Sequence, residues 1–357
     1  MGSAVRYRVS RPRSDGDGAT QNGIHVLQTP SGLHAVRALV TGGAGFIGSS
    51  LVEALVEQGD HVAVLDDLSR GRPTNLHTPL YGGGDLHLVD VTDAPAVHEV
   101  MRRERPDVVF HLAAQIDVRR SLEDSGFDAR VNIEGTINTL EAARRHGVRR
   151  VVLASTGAIY GESEPLPSPE DCPISPLSAY GLSKYAAESY CHLYTKVHGL
   201  STLCLRYGNV YGPRQDPGGE AGVIAIFCRA LLDGGRPTIF GDGRQTRDYV
   251  YVEDVVSATM AAAESDATGS MNVGRGEETS VLDVVGVLRE LAPRGFEPRH
   301  VAPREGEVLR SCLDPSHANG ALGWEAGIDL RGGLRLTVDD LRAGSALPVP
   351  AAAWLAR

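Results

Sequence analysis

The chain has 357 residues, 42% of them apolar and 22% charged, and a formal net charge of −10. This length and composition suit a globular protein with a sizeable core, built as one large domain or two closely packed ones. They argue against a membrane span, which needs about 20 successive apolar residues, and against a nucleic-acid-binding body, which rests on clustered Lys and Arg. An acidic protein still binds an anionic small molecule wherever a few arginines converge.

Residues 1–36 are polar, carry Arg6, Arg8, Arg11 and Arg13, and lack the apolar core of a signal peptide. They read as an extension outside the fold. Ordered structure is expected from a short strand at 37–40, followed by the glycine-rich turn TGGAGFIG at 41–48 and a helix to 58 that places Leu51, Val52, Leu55 and Val56 on one face. Gly59 ends that helix. The alternation then repeats, with strands at 61–65, 86–89, 108–112 and 151–154, and helices at 94–105 and 128–146. A helix from about 178 and a strand at 202–205 follow. Short apolar strands separated by helix-length segments imply an α/β fold, a doubly wound parallel sheet of Rossmann type covered on both faces. Residues 212–243, rich in Gly, Pro and Arg, break the rhythm, and a helical pattern returns at 281–291. The expected organisation is an NAD-binding unit at 37–206, a smaller substrate-binding unit at 207–345 interleaved with it, and a tail at 346–357. The five cysteines are scattered and form no C-x-x-C pair, so they read as reduced thiols in a cytoplasmic protein, with no metal site.

Gly42, Gly45 and Gly48 lie between a predicted strand and a predicted helix. There the backbone must turn tightly, approach a pyrophosphate and let the helix pack on the sheet, while the helix N-terminus offers free N–H groups to the anion. Asp66 closes the second strand, where a carboxylate accepts from both hydroxyls of an adenosine ribose and repels a 2′-phosphate. This favours NAD over NADP, although Arg70 and Arg72 stand close in the sequence. Tyr180 and Lys184 are four residues apart and therefore on one side of a helix. A fixed ammonium and an oxidised nicotinamide both favour the phenolate, making Tyr180 a base near neutral pH. Thr156 follows a strand end, where it can hydrogen-bond the same substrate oxygen that Tyr180 deprotonates.

These signatures, with Asp90-Val91, HLAA at 111–114, NIEGT at 132–136, RYGNVYGP at 206–213 and RDYV at 247–250, resemble the extended short-chain dehydrogenases/reductases. Within them the chain is most similar to the NAD-dependent epimerase/dehydratase family and its bacterial UDP-glucose 4-epimerases. The resemblance implies a tightly bound NAD held by Gly42, Gly45, Phe46, Ile47, Gly48, Asp66, Asp90, Val91, Ala113, Ala114, Asn132, Tyr180, Lys184 and Tyr207. It further implies a UDP-sugar held by Thr156, Asn209, Val223, Thr238, Phe240, Arg247, Arg304, Glu307 and Ser311. Asn209 and the two arginines take the diphosphate, Glu307 the ribose, and Thr238 and Phe240 the base.

The implied reaction is redox-neutral. Tyr180 removes the proton of the sugar 4-hydroxyl as hydride leaves C4, the 4-keto hexose swings about its diphosphate tether, and hydride returns to its other face. Related dehydratases and decarboxylases carry acidic residues just after the position of Thr156. Here Gly157 and Ala158 stand there, and neither moves a proton. The expected function is therefore 4-epimerisation of UDP-glucose and UDP-galactose, extended to the N-acetylhexosamine pair by the small Ser311, in a homodimer paired through the Tyr-bearing helix and the 128–146 helix. The readings left beside it are an epimerase of UDP-glucuronate or a deoxysugar nucleotide, and a non-catalytic NAD-binding sensor.

Overall fold

Alternating side chains send each strand into two separate cores. Ala38 and Val40 of one strand face a cluster shared with Val62, Val64, Val152, Leu203 and Leu205. Leu39, between them, faces the opposite cluster with Ala63, Leu65, Val109, Val151 and Leu153. A sheet apolar on both faces must be covered on both, which is why helices flank it. The computed structural model describes residues 6–8, 35–76, 84–218, 222–292, 296–304 and 306–346.

The main sheet has eight strands: β1 (Arg6–Arg8), β2 (Arg37–Thr41), β3 (His61–Asp66), β4 (Asp85–Leu88), β5 (Val108–His111), β6 (Arg150–Thr156), β7 (Ser201–Tyr207) and β12 (Gly269–Val273). Their order is β1-β4-β3-β2-β5-β6-β7-β12. Seven are parallel, and β1 pairs antiparallel with β4 at the edge. Three residues of the amino-terminal extension, read from sequence as lying outside the fold, thus add an edge strand; residues 1–5 and 9–34 lie outside the described residues.

On one face α1 (Phe46–Gln58) packs against α8 (Val252–Glu264). Gly59 closes α1 in the left-handed conformation, with φ +97°. The other face carries α2 (Ala94–Glu104), α5 (Gly135–Arg145) and α6 (Ala179–His198). Side-chain caps start two of these: Asp93 accepts from Ala96 N–H, and Ser178 from Gly181 N–H. The helix expected at 128–146 is not one helix. It is preceded by α3 (Val118–Glu123) and divided into α4 (Ser125–Ala129), a π-helical segment (Arg130–Glu134) and α5.

The remaining elements form a smaller unit around α7 (Val223–Leu232), α9 (Val281–Leu291) and α11 (Leu330–Ala346), with α10 (Ser316–Leu322) beside β12. Short strand pairs complete it: β8 (Asn209–Tyr211) with β11 (Tyr249–Tyr251), β9 (Thr238–Phe240) with β14 (Arg299–Val301), and β10 (Thr246–Arg247) with β13 (Thr279–Ser280). Between these pairs the chain returns to the main body, contributing α8 and β12. The stretch at 212–243 that showed no rhythm in sequence contains α7. Its sequence VIAIFCRALL is apolar around most of its circumference, so periodicity does not announce it.

One ion pair fixes α6 against the sheet. Arg206 of β7 reaches Glu188 of α6 at 2.8 Å, with side-chain exposures of 6% and 0%. Ser155 Oγ donates to Glu188 Oε1 at 2.5 Å and Ser270 Oγ to Oε2 at 3.0 Å. Arg206 also donates to Tyr160 Oη and to the Glu170 carbonyl. Replacing Arg206 by Met leaves Glu188 buried without its cation, which costs about 3–5 kcal/mol. Denaturant unfolding of Arg206→Met checks this, and a loss below about 1 kcal/mol, the range of an exposed pair, would place the anchor elsewhere.

Candidate active site

The strand order reverses between β2 and β5, so their carboxyl ends, with those of β6 and β7, open the crevice where a doubly wound sheet binds ligands. At the end of β2, Gly42 takes φ +70°, and a Cβ there would stand 2.7 Å from Ala113 N. A Cβ on Gly48 would overlap the Gly42 carbonyl oxygen. Gly45 caps α1 without a side chain, and no acidic residue sits in the first turn, so the leading N–H groups of α1 remain open to an anion. Phe46 and Ile47 start α1 and pack half-buried on the core.

Asp66 does close β3, but its carboxylate first serves the fold. Oδ2 accepts from Ala44 N–H at 2.9 Å and Oδ1 from Leu68 N–H at 2.8 Å. Burial pushes its carboxyl up, against those two hydrogen bonds. One lone pair on each oxygen is left for a diol. Of the arginines that kept a 2′-phosphate in view, Arg70 pairs with Asp117 at 3.3 Å and Arg72 with Asp216 at 2.6 Å. Asp90 is exposed with Oδ1 taken by Thr92 N–H at 2.8 Å, and Val91 is buried beneath Gly135. Tyr207 differs from expectation: its hydroxyl bonds Thr259 Oγ1 at 2.8 Å inside the core, so its side chain does not line the crevice.

A one-way hydrogen-bond chain joins the glycine turn to the π-helical segment. Ala113 N–H donates to Thr41 Oγ1 at 3.2 Å, and Thr41 lies 2.7 Å from His111 Nδ1. His111 Nε2 lies 3.1 Å from Thr136 Oγ1, whose own proton goes to the Asn132 carbonyl at 2.6 Å. Since Thr136 is committed as a donor, Nε2 carries the imidazole proton and Nδ1 accepts from Thr41. Burial, then the Lys184 charge, push His111 down to about 3, so it stays neutral. Asn132 spans the next gap, its amide donating to Ser183 Oγ at 3.0 Å and to the Gln115 carbonyl at 3.0 Å.

Thr156 ends β6, and Tyr180 and Lys184 occupy the first turns of α6. Tyr180 N–H donates to Ser121 Oγ at 3.0 Å, which holds the start of α6 against α3. Burial pushes the Tyr180 phenol up to about 12; a hydrogen bond with Thr156 pulls it down in part, and the Asp128 charge adds to the rise. Within this chain Thr156 is the group that lowers the phenol, and the nicotinamide charge on which the sequence expectation also rests comes with the cofactor. Lys184 is 3% exposed, and burial lowers it to about 8. None of its N–H groups is hydrogen-bonded to a described residue.

Across the crevice stand the residues implied for the substrate. Asn209 is exposed at the start of β8, and Val223 opens α7 half-buried. Arg247 lies 3.6 Å from Glu307, and the Arg304 guanidinium stacks 3.5 Å over the Phe240 ring, so Arg304 and Glu307 are not each other's partners. Thr238 accepts from Arg299 at 3.2 Å, and Ser311 N–H donates to the Thr246 carbonyl at 3.3 Å, beside Arg247. Sequence reasoning missed Asp248. Its buried carboxylate accepts from the N–H groups of Arg275 (2.8 Å), Gly276 (3.1 Å) and Leu313 (3.2 Å), while its carbonyl accepts from Asn209 N–H at 2.7 Å. It thereby fixes Asn209 and Arg247 relative to the loop that carries Ser311. Its place inside RDYV was the available signal.

Residues 38–274 match the model of the NAD dependent epimerase/dehydratase family. The chain belongs to that family. It is 44% identical over 310 residues to the UDP-glucose 4-epimerase of Mycolicibacterium smegmatis, covering 86% of this chain and 99% of that protein. The solved UDP-glucose 4-epimerase of Thermotoga maritima, with UDP-glucose, superposes with a TM-score of 0.83 at 42% identity, covering 86% of this chain and 99% of the other. That of Thermus thermophilus, in complex with NAD, gives 0.80 at 44% identity with the same coverage. The chain is an NAD-dependent enzyme of the extended short-chain dehydrogenase/reductase type, and its own residues fit the cofactor. The glycine cradle at 42–48 admits nothing bulkier than backbone, α1 offers uncapped N–H groups, and Lys184 has free donors for a ribose diol.

Proposed function

We propose that the enzyme interconverts UDP-glucose and UDP-galactose by 4-epimerisation and keeps its NAD bound throughout. The observation that carries this reading is that Thr156 ends β6 and Tyr180 opens α6, which packs against β6, while Gly157 and Ala158, which move no proton, follow Thr156. Elimination of water needs a further acid or base at that place. Of the carboxylates around it, Glu188 is committed to Arg206, Glu170 accepts from Asn272 N–H at 2.8 Å, and Asp128 is fully buried on α4, away from the positions that follow Thr156. The similarity to UDP-glucose 4-epimerases over nearly their full length supports the same substrate class.

In this reading Gly42, Gly45 and Gly48 with the start of α1 hold the dinucleotide diphosphate, Asp66 its adenosine ribose and Lys184 its nicotinamide ribose. Asp90, Val91, Ala113, Ala114 and Asn132 line the same cleft. NAD, when bound, supplies the hydride acceptor and, oxidised, a positive charge near the phenol. Tyr180 takes the proton of the sugar 4-hydroxyl as C4 becomes a ketone, and returns it after the hexose has turned. Thr156 hydrogen-bonds the same oxygen on both passes. Arg247, Asn209 and Arg304 hold the substrate diphosphate, with Phe240, Thr238 and Val223 around the base and Glu307 near its ribose. A fixed tether and a loosely held hexose are what reversal of the C4 face requires. The substrate unit at 207–345 would grip the nucleotide while the NAD unit at 37–206 carries the chemistry. Five buried, free cysteines suit a reducing cytoplasm.

We also place a homodimer interface on α6. Leu182, Tyr185, Leu193 and Val197 form an exposed stripe along it, flanked by Ile116, Val118 and Leu122 next to and within α3. Among the described residues of the 128–146 stretch no large apolar side chain is exposed, so the partner surface is α6 with α3.

Three outcomes test these readings. Tyr180→Phe should retain NAD after purification and lose activity on UDP-galactose by about a hundredfold or more; a variant keeping over about a tenth of the rate, far above that loss, puts the base elsewhere. Wild type should also epimerise UDP-N-acetylglucosamine, and Ser311→Tyr should abolish that activity while sparing UDP-glucose, because a ring there fills the space an acetamido group needs. Unchanged kcat/KM for both pairs in the variant would remove Ser311 as the gate. Finally, Leu193→Asp with Val197→Asp should convert a dimer to a monomer in sedimentation velocity; an unchanged wild-type and variant mass excludes α6 as the interface.

A further inference from the structure

Lys184 and Asp128 are two buried side chains on α6 and on α4 packed against it, with no direct ion pair between them, and the Asn132 amide bridges their surroundings, reaching Asp128 Oδ1 at 3.2 Å and Ser183 Oγ, on the residue before Lys184, at 3.0 Å. Asp128, at 0% exposure, sits on α4, which packs against α6. Its Oδ1 accepts from Gln115 Nε2 at 3.0 Å and Asn132 Nδ2 at 3.2 Å, both neutral amides. Its Oδ2 is buried and accepts from no described residue. Lys184 likewise has no hydrogen-bonding partner among the described residues. An isolated buried ion costs several kcal/mol, so two of opposite sign on packed helices are best understood together.

We propose that Asp128 is a positioning residue that acts as the counter-charge to Lys184 across the α4–α6 packing, keeping the ammonium charged in the crevice. The titratable groups facing Lys184 leave no better candidate. On its own helix stand Tyr180, Cys191 and Glu188; β7 contributes Cys204 and β5 His111. Burial drives the Lys184 ammonium down, and Cys191, Glu188, Cys204 and Asp128 oppose it, in that order. The cysteines count only as thiolates, and burial holds the Cys204 thiol well above its usual range. Glu188 is already neutralised by Arg206. His111 is neutral. Asp128 is then the anion without a cation. Its charge also opposes the Tyr180 phenolate, so it holds the pair as neutral phenol and ammonium, the state from which Tyr180 can return a proton.

The proposal deepens the epimerase reading and rests on it for its mechanistic meaning, yet it can be tested without turnover. The chain has only two lysines, Lys184 and the exposed Lys196. Protein labelled with ε-13C-lysine therefore gives two signals, assigned by Lys196→Arg. Following both from pH 6 to 10 in the purified protein, the Lys184 midpoint should fall by about one unit or more in Asp128→Asn, as expected on losing a nearby opposite charge. Lys196 should not move, and Asp128→Glu should recover most of the shift. The alkaline limb of kcat should shift in the same direction in Asp128→Asn. An unmoved Lys184 midpoint, or a uniform loss of activity at every pH, overturns the proposal. Should Asp128→Asn not fold, Asp128→Ser is measured in its place; if neither neutral variant folds, the carboxylate serves the fold and the proposal is overturned. Wild type that turns over no UDP-hexose would defeat the epimerase reading, while the lysine titration would still decide the role of Asp128.

Discussion

The catalytic geometry depends on the buried pair of Glu188 and Arg206. Glu188 lies one helical turn beyond Lys184, which lies one turn beyond Tyr180, so whatever fixes Glu188 fixes the other two in rotation and height. The fixing is three-sided: Arg206 from β7, Ser155 from the residue before Thr156, and Ser270 from β12. Thr156 and Tyr180 belong to elements that meet at this one carboxylate. A buried pair of this kind is weak evidence of net stabilisation, because desolvation offsets much of its Coulomb energy. Its value here is register. An apolar replacement of the same volume would hold α6 on the sheet but would allow it to slide or turn.

A second constraint is the shortage of space at the cofactor turn. Gly42 and Ala113 approach so closely that β2 and β5 cannot diverge, and the same Ala113 N–H begins the chain through Thr41, His111 and Thr136 to Asn132. That chain ends on a carbonyl within the π-helical segment, where one turn of the helix is widened. Asn132 then hydrogen-bonds Ser183, the residue before Lys184. The cradle for the dinucleotide and the helix bearing the acid–base pair are thus joined by an unbroken run of individually modest polar contacts from Thr41 to Ser183, the arrangement by which a buried polar network rigidifies. The unpartnered Asp128 Oδ2 lies at its margin.

Much of this was legible in the sequence because the physics was local. Glycine at 42, 45 and 48 is demanded by backbone approach, Gly59 by a left-handed helix end, and the separation of Tyr180 from Lys184 by helix geometry. What the sequence hid was non-local. The break at Arg130–Glu134 has no proline or glycine inside it, and its widened turn accompanies Asn132, whose partners Gln115 and Ser183 are distant in the chain. Tyr207 sits in a motif that suggests a cofactor contact, yet strand alternation turns its ring into the core toward Thr259. Burial raises the Tyr180 phenol, and its own helix does not announce this, because α3 and α4 pack against α6 from elsewhere in the chain. The return of α8 and β12 to the main body followed from no single segment, since an eighth sheet partner is chosen by its neighbours and not by its own pattern.

The choice of lysine at position 184 is itself informative in a chain with 33 arginines and two lysines. Among the described residues the two arginines that are themselves buried, Arg150 and Arg206, are well supplied with acceptors. Arg150 donates to Ala262 O, Ser201 Oγ, Ser265 Oγ and Ala267 O, and Arg206 to Glu188, Tyr160 and Glu170 O. Five donors in a rigid fork require such a shell. At position 184 no described residue accepts a hydrogen bond from the side chain, so an arginine would bring several unsatisfied donors into a buried site, at a cost of about 1–3 kcal/mol each. An ammonium asks for fewer partners, and unlike guanidinium it can be shifted by its surroundings, here down to about 8. A nearly lysine-free chain therefore keeps one where a cation must be compact, left open to ligand oxygens, and responsive to the charges placed around it.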